Sequence, residues 1–152
     1  RAPNGRSSAN RVTMKISTPH FETKVLPPEP DCTAPDGSFV RLLLRLERGS
    51  MAHFELPPGA TSAAVVHRTV EEIWYFLSGH GEMWRRYGDD QDVVPVKAGV
   101  CITIPLGTRF QFRAFGSVPL SAIAVTMPPW PGEGEATAVS GKWKSTVNHG
   151  GL

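Results

Sequence analysis

A chain of 152 residues fits one domain with one core, because a domain of this size hides about 68–70% of the surface its unfolded chain would expose. With 40% hydrophobic and 20% charged residues it has an ordinary folded balance, and no apolar run nears the roughly 18 residues of a membrane span, so no membrane role is predicted. The formal charge of +2 is dispersed rather than gathered into a basic stripe with interleaved aromatics, which argues against nucleic acid as a partner.

Residues 1–13 are polar and without period, and they precede Met14, which stands where a natural start would; they read as a non-native remnant or a disordered arm. From there to residue 37, Pro19, Pro27, Pro28, Pro30 and Pro35 forbid a continuous helix. Residues 1–37 are therefore an N-terminal arm suited to edge or wrapping roles. No signal-peptide pattern opens the sequence, and Cys32 and Cys101 have no spacing that demands a bridge. Both are expected to be free structural thiols in a cytoplasmic protein, with Cys101 packed inside an apolar run.

The clearest alternation follows, with Val40, Leu42, Leu44 and Leu46 on one face and Arg41, Arg45 and Glu47 mainly on the other, which predicts a half-buried strand. Past Gly49-Ser50, Ala52, Phe54 and Leu56 alternate with Met51, His53 and Glu55 until Pro57-Pro58-Gly59 turns the chain. Further strands are predicted at about 64–69, 72–77, 82–87, 92–96, 100–104, 109–114 and 120–126. Many short strands at near-regular spacing, with no helical stripe three turns long, imply an all-β barrel or sandwich over residues 38–127. Residues 128–152 read as an irregular C-terminal extension anchored by Trp130 or Trp143.

Gly59, His67, Glu72 and Gly79, then Gly99, Pro105 and Gly107, with the segment from His80 to Ala98 between, form a frame of turn residues and candidate ligands. Glycine at strand ends supplies tight turns, and Pro105 fixes a turn entry. This frame resembles the two motifs of the cupin superfamily. The resemblance implies a cupin-like antiparallel β-barrel, of the jelly-roll or double-stranded β-helix kind, commonly paired as a homodimer. It also implies a divalent metal held by two histidines and a glutamate of the first motif and a histidine of the second. Aligned on Gly59 and Glu72, the first histidine's place holds Val65 and the second's holds His67; a second alignment makes His67 the first and Thr69 the second. In either, Phe110 stands at the later histidine's place and Ala114 at the asparagine's. His67 and Glu72 are thus the remaining ligand candidates, and two donors seldom hold a transition metal tightly. No cofactor is expected unless His20, His53, His80 or His149 folds back to add a ligand; alternation places His53 on the outer face.

Strand parity carries the rest. If Glu72 points inward, so do Trp74 and Phe76, and Phe112 follows Phe110. The predicted binding residues are Trp74, Phe76, Phe110 and Phe112, with Arg109 as an anion contact at the rim; the cupin resemblance implies that His67 and Glu72 lie close, which makes them a metal-free acid/base pair. Small barrels also fill themselves with aromatics, so these rings are equally readable as core. A small-molecule-binding cupin results, acting as a metal-independent isomerase, epimerase or lyase on a small polar or sugar-like metabolite. A non-catalytic binding or sensor cupin and a metal-dependent oxygenase are the alternatives, and whether the protein is an enzyme stays open at this point.

Overall fold

The computed structural model describes residues 21–147, so the readings placed on residues 1–13, Met14, His20 and His149 lie outside the described residues. Within that span the chain forms β1 (Cys32–Thr33), β2 (Phe39–Arg45), β3 (Ser50–Leu56), β4 (Val65–His67), β5 (Glu71–Ser78) and β6 (His80–Tyr87). It continues through β7 (Asp90–Lys97), β8 (Cys101–Ile104), β9 (Arg109–Phe115), β10 (Leu120–Met127) and β11 (Ala136–Ala138). Two antiparallel sheets result, one in the order β1-β2-β3-β10-β5-β8 and the other β11-β4-β9-β6-β7, which is the all-β arrangement expected from the sequence. No helix among the described residues is long and apolar enough to cross a membrane.

The core follows from side-chain alternation. In β5, Glu72, Trp74 and Phe76 point inward while Ile73, Tyr75 and Leu77 stay exposed. Across the ladder, Ala122 pairs with Phe76 and Ala124 with Trp74. Alanine is a poor strand former, so its use here marks a need for space, since its methyl groups leave room for the neighbouring rings. Trp74 fills that room, stacking on Phe54 at 5.2 Å and meeting Phe112 edge-on at 5.3 Å from the opposite sheet. At the β5–β6 corner, Gly79 takes φ = 76°, and a Cβ there would run into the Pro119 carbonyl. Any other residue would both strain the turn and push the β10 entry away.

Two segments outside the expected barrel complete it. The chain before β1 lies over β2, where Arg41 donates to the carbonyls of Pro27 and Pro28, both at 2.8 Å. His53 has the outward parity expected, yet it is buried. Burial and the neighbouring Arg41 hold its pKa below the ordinary imidazole value. After β10 the C-terminal extension returns to add β11 beside β4. It is fixed further on by the Gln111 side chain, which bonds the Trp143 backbone, and by the Arg113 guanidinium 4.2 Å above the Trp143 ring.

Two expectations are corrected. The alternation predicted for Val40 to Leu46 holds at Val40, but Leu42 and Leu46 are exposed and Leu43 and Leu44 are half-buried. The β2–β3 register shifts between Leu42 and Arg45, and an irregularity of that kind breaks the two-residue period. Cys101, free like Cys32, is exposed rather than packed, because Ile102 and Ile104 take the inward positions of β8.

Candidate functional site

His67 closes β4 in one sheet, and Glu72 opens the buried side of β5 in the other. The short connection between them lets the two side chains meet at the corner where the sheets approach. Nδ1 of His67 lies 3.0 Å from Oε1 of Glu72, and the side chains are 7% and 2% exposed. The approach is off the imidazole N–H direction, so the contact is an ion-pair distance without an aligned hydrogen bond, and Nδ1 has no other partner. Oε2 of Glu72 accepts from the Trp74 indole N–H. Phe110 and Trp130 stand edge-on to the His67 ring at 5.3 and 5.1 Å.

Two further carboxyls adjoin this pair, and neither is marked by the sequence motifs. Asp36, in the loop between β1 and β2, is buried, and its Oδ1 accepts the Ser38 backbone N–H at 2.9 Å and the Ser38 hydroxyl at 2.5 Å. Burial drives its pKa up and the Glu72 charge adds to this, outweighing the Ser38 bonds and the nearby His67. Glu135 shows the reverse. Burial opposes its ionisation, but bonds from the Thr69 N–H, the Thr69 hydroxyl and the Val70 N–H, with His67 nearby, bring its carboxyl below the ordinary value. Asp36 falls in the proline-rich arm and Glu135 in the tail, so only the folded chain brings them together.

His67, Glu72 and Asp36 border a cavity of about 200 Å³ whose other walls are mainly carbon, from Val40, Leu42 to Leu44, Met51, Phe54 and Val65. Of the residues expected to bind ligand, Trp74 and Phe110 line it together with His67 and Glu72. Phe76 and Phe112 point inward as expected but belong to the packed core and not to the cavity wall. Arg109 is exposed on β9, beside Phe110 but with opposite parity, and does not reach the cavity. The cavity's charged rim residue is Arg45, whose guanidinium donates to the Trp130 carbonyl at 2.9 Å. The Trp130 backbone N–H in turn donates to the Ser50 hydroxyl at 2.9 Å. Trp130 is thereby held in place beside His67.

A family model described as a cupin domain matches residues 52–126. The chain is 33% identical over 127 residues to an uncharacterised protein of Methanocaldococcus jannaschii, covering 80% of this chain and 94% of that one. It superposes with a TM-score of 0.57 on a protein from Klebsiella pneumoniae described as having a double-stranded β-helix domain, at 20% identity over 68% of this chain and 85% of that one. The chain belongs to the cupin superfamily. A second solved cupin fold, described as a predicted oxalate decarboxylase from Thermotoga maritima, aligns at TM-score 0.57 and 23% identity over 69% of this chain and 99% of that one. At these identities the solved structures show the fold alone.

The metal that cupins often carry meets a poor donor set here. Among the described residues no three His, Cys, Asp or Glu side chains converge in an arrangement able to hold an ion. Phe110 packs its ring nearly perpendicular to that of His67 where the motif has a further imidazole, and both Glu72 oxygens already lie against protein groups. His53 lies on the outer face of its sheet beside Arg41, and His80 packs against Phe115 at the far end of β9. The residues present do not fit a tightly held transition metal.

Proposed function

We propose that this small-molecule-binding cupin takes a compact, largely apolar carbonyl compound into the cavity and moves a proton on it with His67 and Glu72. It would then be an isomerase, epimerase or lyase that needs no metal. The observation that carries this reading is the buried His67–Glu72 contact of 3.0 Å beside a carbon-walled cavity. A carboxylate beside Nδ1 orients the imidazole, favours its protonated form once a proton is taken, and leaves Nε2 as the base. The walls support a mainly apolar compound over a polyhydroxylated sugar, which would bring more hydroxyls than they can satisfy.

The test is a thermal-shift screen of small ketones, cyclohexanone and acetophenone among them, followed by NMR of α-proton exchange in D2O for those that bind. Ligands that bind only the folded state raise its apparent stability. His67→Gln and Glu72→Gln are each expected to slow exchange about a hundredfold or more while binding persists. Exchange unchanged in both variants would refute the acid/base role. Binding without exchange in the native protein would instead favour a non-catalytic binding cupin, the reading to which the unaligned Nδ1 also lends itself.

A further inference from the structure

We propose that Asp36 is the acid of this site: its carboxyl gives a proton to the carbonyl oxygen of the ligand while His67, backed by Glu72, removes the proton from the adjacent carbon. The inference rests on the proton-transfer reading above and assigns the group that reading lacks, a donor for the developing oxyanion.

Asp36 lines the same cavity as His67 and Glu72 and is only 4% exposed. Its position is fixed by its loop. The Ala34 N–H donates to the Ser38 carbonyl at 2.8 Å, the Gly37 N–H to the Ala34 carbonyl at 2.9 Å, and the Ala63 N–H to the Asp36 carbonyl at 2.8 Å. Both side-chain bonds from Ser38 fall on Oδ1, and among the described residues none reaches Oδ2. The charged groups facing it are Glu72 from β5 and His67 from β4, while Glu135, also near His67, is clamped by Thr69 and Val70. The rim cation, Arg45, is turned to the Trp130 carbonyl, and no cation pairs with Asp36 among the described residues. A carboxyl buried without a cation, beside a second carboxylate, keeps its proton, and a neutral carboxyl is the form that donates a hydrogen bond to a carbonyl.

The protons balance without any co-reactant. His67 Nε2 takes the α-proton, the C–H electron pair forms the carbon–carbon double bond, and the carbonyl oxygen takes the Asp36 proton, giving an enol between an imidazolium and a carboxylate. In return the imidazolium protonates the second carbon, or the other face of the first, and the Asp36 carboxylate recovers the enol proton. The substrate class is a carbonyl compound with an acidic α-C–H.

Carbon-13 NMR of aspartate-labelled protein tests this directly. One aspartate carboxyl is expected to remain protonated near neutral pH, to vanish in Asp36→Asn, and to titrate at lower pH in Glu72→Gln, which removes the neighbouring charge. Addition of cyclohexanone is expected to shift that resonance in the native protein and also in His67→Gln, because donation from Asp36 does not need the base. A full set of ordinary aspartate titrations, survival of the protonated signal in Asp36→Asn, or no response to cyclohexanone overturns the proposal. In the exchange assay, Asp36→Asn is expected to slow turnover about a hundredfold or more. An unaltered rate in Asp36→Asn beside a lost one in His67→Gln would remove Asp36 and leave the His67–Glu72 reading standing.

Discussion

Glu135 and Asp36 both lie near His67, and their surroundings push them in opposite directions. Glu135 has its folded pKa lowered by three hydrogen bonds that prefer the carboxylate, despite its burial. A lowered folded pKa contributes stability that is complete above the unfolded value and disappears as pH falls through the folded one. Asp36, with its pKa raised by burial, has the opposite sign: its contribution is complete below the unfolded value and is lost as pH rises through the folded one. Replacing Glu135 by Gln should therefore cost about 2 kcal/mol at neutral pH, the order of one hydrogen bond to a charged group, and cost less at an acid pH where Glu135 takes up its proton in the folded protein. Urea unfolding at the two pH values measures this, and an equal cost at both would show that the carboxylate charge does not secure the tail. Asp36→Asn should instead gain on the native protein as pH rises, a slope of opposite sign in the same experiment.

At the scale of elements, the strands that carry strong alternation were readable in advance. Those predicted at about 72–77, 109–114 and 120–126 match β5, β9 and β10 closely, because one face of each is core and the period of two survives. The cavity pair was readable for a different reason: the cupin-like motif frame puts His67 and Glu72 at ligand positions, with Phe110 where a ligand nitrogen was expected. What the sequence hid is held by long-range contacts with no local pattern. Asp36 comes from a proline-rich arm, Glu135 bonds Thr69 and Val70 across 65 residues or more, and Trp130 is positioned through Arg45 and Ser50. The short strand β11 belongs to the same class, since Ala136 to Ala138 has no strand signature and forms by pairing with β4. If that tail is the cover of the site, Trp130→Ala should expose the His67 ring, whose two edge-on neighbours are Trp130 and Phe110. Carbethoxylation of His67, followed by mass spectrometry, is expected to accelerate about tenfold or more in the variant. A rate equal to that of the native protein would mean that the tail packs beside the cavity without closing it.

For the molecule as a whole, the telling contrast lies between two uses of alanine on the same sheet. Ala122 and Ala124 are small because Phe76 and Trp74 fill the space beside them, and the core there is closed. Ala52, on the neighbouring β3 and paired with Ala124, borders the cavity, as do Ala34 and Ala136, and no ring has grown in to occupy it. Unfilled apolar space is costly in a packed interior, where larger side chains would bury more surface. A barrel that keeps such a hole is trading stability for a place to hold something. Ala52→Leu should fill part of the cavity and raise stability by about 1 kcal/mol, or about 3 °C in Tm, through burial of the added carbons. In the same variant, the thermal shift that a binding ketone causes in the native protein should vanish, because the ligand and the new side chain compete for one volume. An Ala52→Leu variant that is no less stable yet still responds fully to the ketone would place the binding site elsewhere in the barrel.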